Sequence, residues 1–162
     1  MTIRFLRNKV VEVESQSDGS LDVSWRLTDD LLKAEITFKV QLPDLEIVAA
    51  KARLERLVPK AWQSAPELIK KVEGVRIGSG LRKIVQGLLG AEKGCPLLAH
   101  AVLEGSNAVI LNFTRPGVQM LGGQEDEEKM ALTREMLKSN PRLIRSCVAF
   151  QDDSPITQGL DL

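Results

Sequence analysis

The feature that most constrains this fold is a strict two-residue alternation of apolar and polar side chains in the first third of the chain. It runs through LDVSWRL, residues 21–27, and again through AEITFKVQL, residues 34–42. Because successive side chains of a strand point to opposite faces, each run places its apolar residues on one face of a sheet. Asp18-Gly19, just before the first run, is a hairpin turn signal, because this pair readily reaches the positive φ of tight turns.

The alternation predicts an antiparallel meander of three or four strands over residues 3–57. Residues 45–57 are compatible with a fourth strand or an early helix, and the alternating Lys51, Arg53 and Glu55 favour the strand. After Pro59 the apolar spacing becomes helical, which predicts helices between 60 and 113 (60–73, 80–89 and 95–112) and a last helix over 124–139. We therefore expect one α+β domain, residues 1–150, with the helices packed on one face of the sheet and residues 151–162 as a flexible tail.

Capping and turn residues mark the ends of these elements. Ser79 is predicted as the N-cap of the 80–89 helix and Gly90 as its C-cap. Residues 114–123 are predicted to form a loop.

Cys147 lies in an apolar run, which favours a place in the core. The acidic groups are interpreted as solvated surface: Asp29-Asp30, residues 125–128 and residues 152–153.

Length and composition exclude several classes of protein. No apolar run in the 162 residues approaches the roughly 20 that a membrane-spanning helix needs. The charged N-terminal segment and the two cysteines without metal-ligand spacing favour a cytoplasmic bacterial protein with reduced thiols. Residues 51–83 carry nine basic against three acidic side chains, a local net charge of +6 that can attract anions or an acidic partner. The zero overall charge and the absence of tyrosine disfavour nucleic-acid binding.

The segment VRIGSGLRKIVQGLLGAEKGCPLLAH, residues 75–100, concentrates the candidate functional residues. Its first glycines precede a helix, but they lack the third glycine of a dinucleotide loop and the Gly-Lys-Ser/Thr of a P-loop, so turn and cap chemistry explains them. Cys95 stands at a predicted helix N-terminus, where the helix dipole and nearby Lys93 favour thiolate. The alternative for Cys95 is a small buried apolar side chain. The predicted ligand or partner surface consists of Cys95, Arg76, Gly78, Ser79, Gly80, Arg82, Lys93 and His100.

The pattern predicts no catalytic residue and no metal site. One histidine and no tyrosine leave acid–base roles to carboxylates or lysines, and no serine stands in a nucleophile-elbow pattern. We interpret the chain as a non-enzymatic binding or adaptor module for a protein or a small anionic ligand. A small enzyme whose carboxylates converge only in the fold remains an alternative. An exposed sheet edge or face would also make a homodimer natural.

The order of motifs resembles the bacterial family that carries the domain of unknown function 2889. The resemblance covers about residues 4–150 and depends mainly on VEGVRIGSG at 72–80, on GCPLL at 94–98 and on the run at 139–147. It implies no known activity. Family members commonly have a histidine where Leu97 stands and a cysteine where Ser64 stands, so this chain departs from the family at both positions.

A second resemblance, at the level of the fold, is to iron–sulfur scaffold proteins of the IscU/NifU type. It would place Cys95 at the start of the last helix of that fold. A cluster scaffold needs about three thiolates and a further ligand, and this chain matches only Cys95. The resemblance therefore implies, as an alternative function, a ligand-depleted thiol or metal protein. In that protein Cys95 would bind zinc or an iron–sulfur cluster, and Arg76, Arg82 or Lys93 would favour its thiolate.

Overall fold

The N-terminal third folds into four consecutive antiparallel strands, as the alternation predicts. The computed structural model describes residues 4–56, 64–120, 122–123, 125–139, 141–145 and 147–160. The strands are β1 (Arg7–Ser15), β2 (Leu21–Asp29), β3 (Leu32–Gln41) and β4 (Glu46–Arg56), paired in that order. A 3₁₀ helix (Ala65–Val72), α1 (Leu81–Leu89), α2 (Pro96–Met120) and α3 (Asp126–Ser139) follow. The predicted α+β class and the fourth strand are confirmed.

A turn over residues 16–20 joins β1 to β2 and sets the register of this hairpin. Gly19 has a φ of 78°, as the turn requires. The N–H of Gln16 donates to the carbonyl oxygen of Ser20 at 2.9 Å. Asp18 accepts hydrogen bonds from the hydroxyl and the backbone N–H of Ser20 and lies beside Lys39. These contacts stabilise the carboxylate and hold the pKa of Asp18 well below its usual range.

The apolar residues of β2 and β3 share one face of the sheet, called here the inner face, and this face forms the core. Gly105 lets α2 approach it closely: a Cβ at this position would lie 2.8 Å from the ring of Phe38 and 3.0 Å from a methyl of Val23. The helices contribute buried side chains that include Ile69, Val72, Val85, Leu89, Leu98 and Val102. The central strands contribute Leu21, Val23, Trp25, Leu27, Ala34, Ile36, Phe38 and Val40.

Residues 73–77 cover one edge of the sheet, that of β4. The N–H of Ile47 donates to the carbonyl oxygen of Val75 at 2.9 Å. The carboxylate of Glu73 accepts the N–H of Ala50 at 3.0 Å. An open strand edge leaves such donors without partners, so this segment satisfies part of the β4 edge. The VEGVRIGSG run, residues 72–80, therefore has a structural role in this fold, because it covers the β4 edge.

Two predicted helix boundaries are wrong, and one is confirmed. Residues 114–120 continue α2 in place of the predicted loop, since the loss of one N–H donor at Pro116 does not end the helix. The N-cap position of α1 is held by Gly80, with a φ of 82°, and Ser79 makes no capping hydrogen bond. Gly90 is the C-cap of α1, as predicted. The predicted helical residues 60–63 lie outside the described residues.

The chain divides into two units, Met1–Asn112 and Phe113–Leu162. In the second unit, α3 is followed by the short 3₁₀ helices Pro141–Leu143 and Val148–Phe150. The prediction that Cys147 is core is wrong: it is exposed, because it leads into a single helical turn that presents its neighbours to solvent. Residues 151–160 form successive turns that bury Ser154 and Thr157. The single domain and the flexible tail stay predictions.

No helix in the described part of the chain combines the length and the apolar character that crossing a membrane requires.

Candidate functional site

The first part of the predicted 75–100 surface lies at the β4 edge and at the start of α1. The exposed guanidinium of Arg76 lies 3.6 Å from the carboxylate of Glu46 and 3.9 Å from that of Asp44. Its charge is therefore already partly balanced. Residues 78–80 form an exposed turn that leads into α1, and Arg82 is exposed in the first turn of this helix.

The second part of this surface lies beyond the other end of α1. A helix of nine residues spans roughly 13 Å, so Lys93 and Cys95 are separated from the 78–80 turn by that length. Cys95 is half-buried against the core, and its N–H donates to the carbonyl oxygen of Leu89 at 2.6 Å. A Cβ on Gly94 would lie 2.1 Å from the same oxygen, so the Gly-Cys pair closes the α1–α2 turn. The reactivity of the Cys95 thiol stays a prediction.

His100 belongs to a polar cluster that ties α2 to the sheet. The carboxylate of Glu104 accepts the indole N–H of Trp25 at 2.7 Å and forms an ion pair with Lys9, also at 2.7 Å. The Nε2 atom of His100 lies 3.3 Å from the same carboxylate. Burial raises the pKa of Glu104, but the hydrogen bonds from Lys9 and Trp25 and the charges of Lys9 and protonated His100 outweigh it, so the net shift is downward.

Part of this cluster has a signal in the sequence, although no motif marks it and the crossing of α2 over Trp25 has no signal. A buried indole N–H needs an acceptor, and Trp25 is fully buried. Glu104 is the one acidic residue in α2, and it stands four residues after the one histidine of the chain. Helical spacing puts such a pair on the same face.

The prediction that Asp29 is solvated surface is wrong. Its side chain is buried and forms an ion pair with Arg7 at 2.7 Å. It also accepts the N–H groups of Leu31 and Leu32, which closes the turn between β2 and β3. Burial alone would raise the pKa of Asp29, but the hydrogen bonds from Arg7, Leu32 and Leu31 and the charge of Arg7 outweigh it and lower the pKa.

A hollow of about 430 Å³ lies on the other face of the sheet, called here the outer face. Small side chains of β2, β3 and β4 form its floor: Ser24, Thr37 and Ala49. In the sequence these residues look like the ordinary solvated positions of alternating strands. They meet only because the register sets Ser24 opposite Thr37 and Lys39 opposite Ala49.

The acidic side of the hollow is formed by β1 and β2. Glu12 is paired with Arg26 at 2.6 Å. Glu14 and Asp22 stand directly opposite each other in the β1–β2 register, and neither carboxylate forms an ion pair with another described residue. Like charges in facing positions repel, so a cation at this place would be stabilised.

The basic side of the hollow is formed by β3 and β4. Lys39 is paired with Asp18 at 3.1 Å. Lys51 is exposed and forms no ion pair within the part of the chain that the structure describes. The charges that have no ion-pair partner among the described residues are thus separated by sign, with carboxylates at one end and an ammonium at the other. Arg26 and Lys39, which stands opposite Asp22, are paired with Glu12 and Asp18.

Comparison of this chain with protein-family models, with curated proteins and with solved structures finds no match. Among the described residues, no three histidine, cysteine or acidic side chains are grouped so as to hold a metal ion. The resemblances to the domain of unknown function 2889 and to iron–sulfur scaffolds stay predictions, as does zinc or iron–sulfur binding by Cys95.

Proposed function

We propose that this chain is a cytoplasmic, non-enzymatic binding module whose ligand occupies the hollow on the outer face of the sheet. The observation that carries this proposal is the separation of unpaired charges across the hollow, with Glu14 and Asp22 at one end and Lys51 at the other. The 75–100 segment is less well suited to a ligand. Its basic residues lie at opposite ends of α1, and Arg76 is close to two carboxylates.

The ligand class follows from the spacing of the strands. Strands lie about 4.8 Å apart, and the register displaces Lys51 by two residues, about 7 Å, along the strands from Glu14 and Asp22, so the backbone positions are separated by roughly 12 to 16 Å. A cation and an anion at that distance match the two termini of an extended peptide of about four residues, at about 3.4 Å per residue. In this arrangement the ammonium lies at Glu14 and Asp22 and the carboxylate at Lys51. The hydroxyls of Ser24 and Thr37 can bond the peptide backbone.

Titration calorimetry with tri- and tetra-alanine tests this proposal. We expect binding with a Kd in the millimolar to micromolar range and weaker binding when the termini are acetylated and amidated. Removing one charge, by Glu14→Gln or Lys51→Gln, should weaken binding by roughly twofold to fivefold, since an exposed ion pair contributes up to about 1 kcal/mol.

Matched controls separate these contacts from a general effect of charge. Glu92→Gln and Lys71→Gln change exposed residues outside the hollow and should leave the affinity unchanged. The amide signals of Ser24 and Thr37 should shift on titration. Equal binding of free and blocked peptides would reject the zwitterionic ligand. An absence of binding by both would reject the peptide class.

A further inference from the structure

The β3–β4 ladder contains a β-bulge beside the hollow on the outer face. Two consecutive residues of β3 pair with Ile47 and Ala49, so Val48 is an extra residue in β4. Ile47 and Ala50 are both buried in the core, whereas the two residues between them are both exposed. The bulge therefore places two consecutive apolar side chains, Val48 and Ala49, on the outer side of β4, where regular alternation would place only one.

The segment that covers the β4 edge holds this bulge in place. Ile47 donates its N–H to the carbonyl oxygen of Val75 at 2.9 Å and accepts the N–H of Gly74 at 2.7 Å. The N–H of Ala50 donates to the carboxylate of Glu73 at 3.0 Å. Because these bonds lie on both sides of the bulge, they fix its backbone. Bulges are frequent next to functional sites, where they redirect side chains.

The register places this apolar pair beside the basic end of the hollow. Glu14, Asp22, Lys39 and Ala49 form one row across the four strands. Lys51 stands two residues further along β4 on the same face, so the Cα atoms of Ala49 and Lys51 are about 7 Å apart. Of the outer-face side chains that line the hollow in the described part of the chain, only that of Ala49 is apolar. A ligand whose carboxylate lies at Lys51 therefore has apolar surface next to its last residue.

We infer that the hollow selects peptides whose C-terminal residue has an apolar side chain, and that Val48 and Ala49 contact this side chain. The inference rests on the proposed function, which places the peptide carboxylate at Lys51. The peptide starts at Glu14 and Asp22, in the row of Ala49, so it reaches Lys51 from the side on which Ala49 lies. A C-terminal side chain directed along β4 covers the apolar pair, and burial of apolar surface there adds to the binding of the two charged termini. Glycine at this position provides no side chain for the contact.

Two tetrapeptides that differ only in their last residue test this inference on the full chain by titration calorimetry. A peptide that ends in valine after three alanines should bind roughly threefold to tenfold more tightly than one that ends in glycine. The double variant Val48→Thr with Ala49→Ser replaces apolar surface by hydroxyl groups and changes the side-chain volumes little. It should reduce the preference for valine to about twofold or less and leave the affinity for the glycine peptide unchanged, because the charges of the hollow are kept.

Val10→Thr is the matched control for this double variant. Val10 is 45% exposed, close to the 43% of Val48, but it lies on β1, at the opposite edge of the sheet from Lys51. The control should keep the wild-type preference for valine. Equal affinity of the wild type for the two peptides, or a preference that persists in the double variant, would overturn the inference but not the proposed function. If neither peptide binds, the proposed function fails and the inference fails with it.

Discussion

At the scale of single residues, two glycines in helices respond in opposite ways to an added methyl group. At Gly105 the new Cβ would press on the buried ring of Phe38, whereas at Gly87 nothing lies within 4 Å. Overpacking costs about 1–3 kcal/mol, and the higher helix propensity of alanine offsets about 1 kcal/mol of it. We expect Gly105→Ala to lower the free energy of unfolding by about 1 kcal/mol and Gly87→Ala to raise it by about 0.5–1 kcal/mol. Urea denaturation measures both, and changes of the same sign would contradict this packing.

The sequence does not distinguish these two glycines, because both are isolated in helical patterns. What separates them is a contact between α2 and β3, which lie far apart in the chain. For the same reason the acceptor of the Trp25 indole N–H could not be predicted. The periodicity predicts that the indole is buried, but the contact with Glu104 depends on how α2 crosses the sheet. Burial could be predicted from local spacing, whereas partners across elements could not.

The buried Asp29 makes the stability of the protein depend on acid pH. Its folded-state pKa is lowered, so the stability it contributes is present above the unfolded pKa of about 3.9 and is lost as the pH falls through the folded value. We expect Asp29→Asn to be less stable than wild type at pH 7 and the two urea midpoints to converge as the pH falls below about 3.9 and through the lowered folded-state pKa. The exposed neighbour gives the control, since Asp30→Asn should follow the wild-type curve. If Asp29→Asn remained less stable than wild type in acid, the loss of stability would come from the changed shape of the side chain and not from its lost charge.

At the scale of elements, the strands were predictable and some helix ends were not. Strict alternation predicts a strand without information from neighbouring elements, so β2 and β3 could be predicted directly. For residues 45–57 the alternation of Lys51, Arg53 and Glu55 only favoured a strand over an early helix, and the structure shows the strand β4. Helix ends depend on weaker local preferences. Pro116 therefore suggested a loop where α2 continues, and Ser79 suggested a cap where the positive φ of Gly80 begins α1.

The cover on the β4 edge gives a prediction at this scale. The buried Ala50 has its N–H bonded to the carboxylate of Glu73. Glu73→Ala should lower the free energy of unfolding by about 1–3 kcal/mol, because it leaves this donor without a partner. Glu73→Gln keeps an acceptor oxygen and should cost less. The pair is compared by urea denaturation together with the exchange rate of the Ala50 amide. Equal losses in the two variants would show that the charge of Glu73 matters more than its hydrogen bond.

At the scale of the whole molecule, the outer-face hollow could not be found in the sequence. Its residues alternate with core positions and have the composition of any solvated strand face. They become a candidate site only when the register brings the carboxylates of β1 and β2 and the lysines of β3 and β4 around one floor. By contrast, the glycines and the cysteine of residues 75–100 suggested a functional site. In this fold Gly94 and Cys95 close the turn between α1 and α2, and residues 73–77 cover the β4 edge.

The position of the core predicts where the chain can be divided. The core cluster and the side chains packed against it all lie at or before Ile110, within the unit Met1–Asn112. We expect a chain that ends at Asn112 to unfold cooperatively in urea and to keep the far-ultraviolet circular dichroism of a folded α+β protein. A chain that ends at Leu89 lacks α2 with its buried Leu98 and Val102, and it should lose the transition. Loss of the transition in the longer fragment as well would show that the first unit needs the second, as the single domain over 1–150 requires.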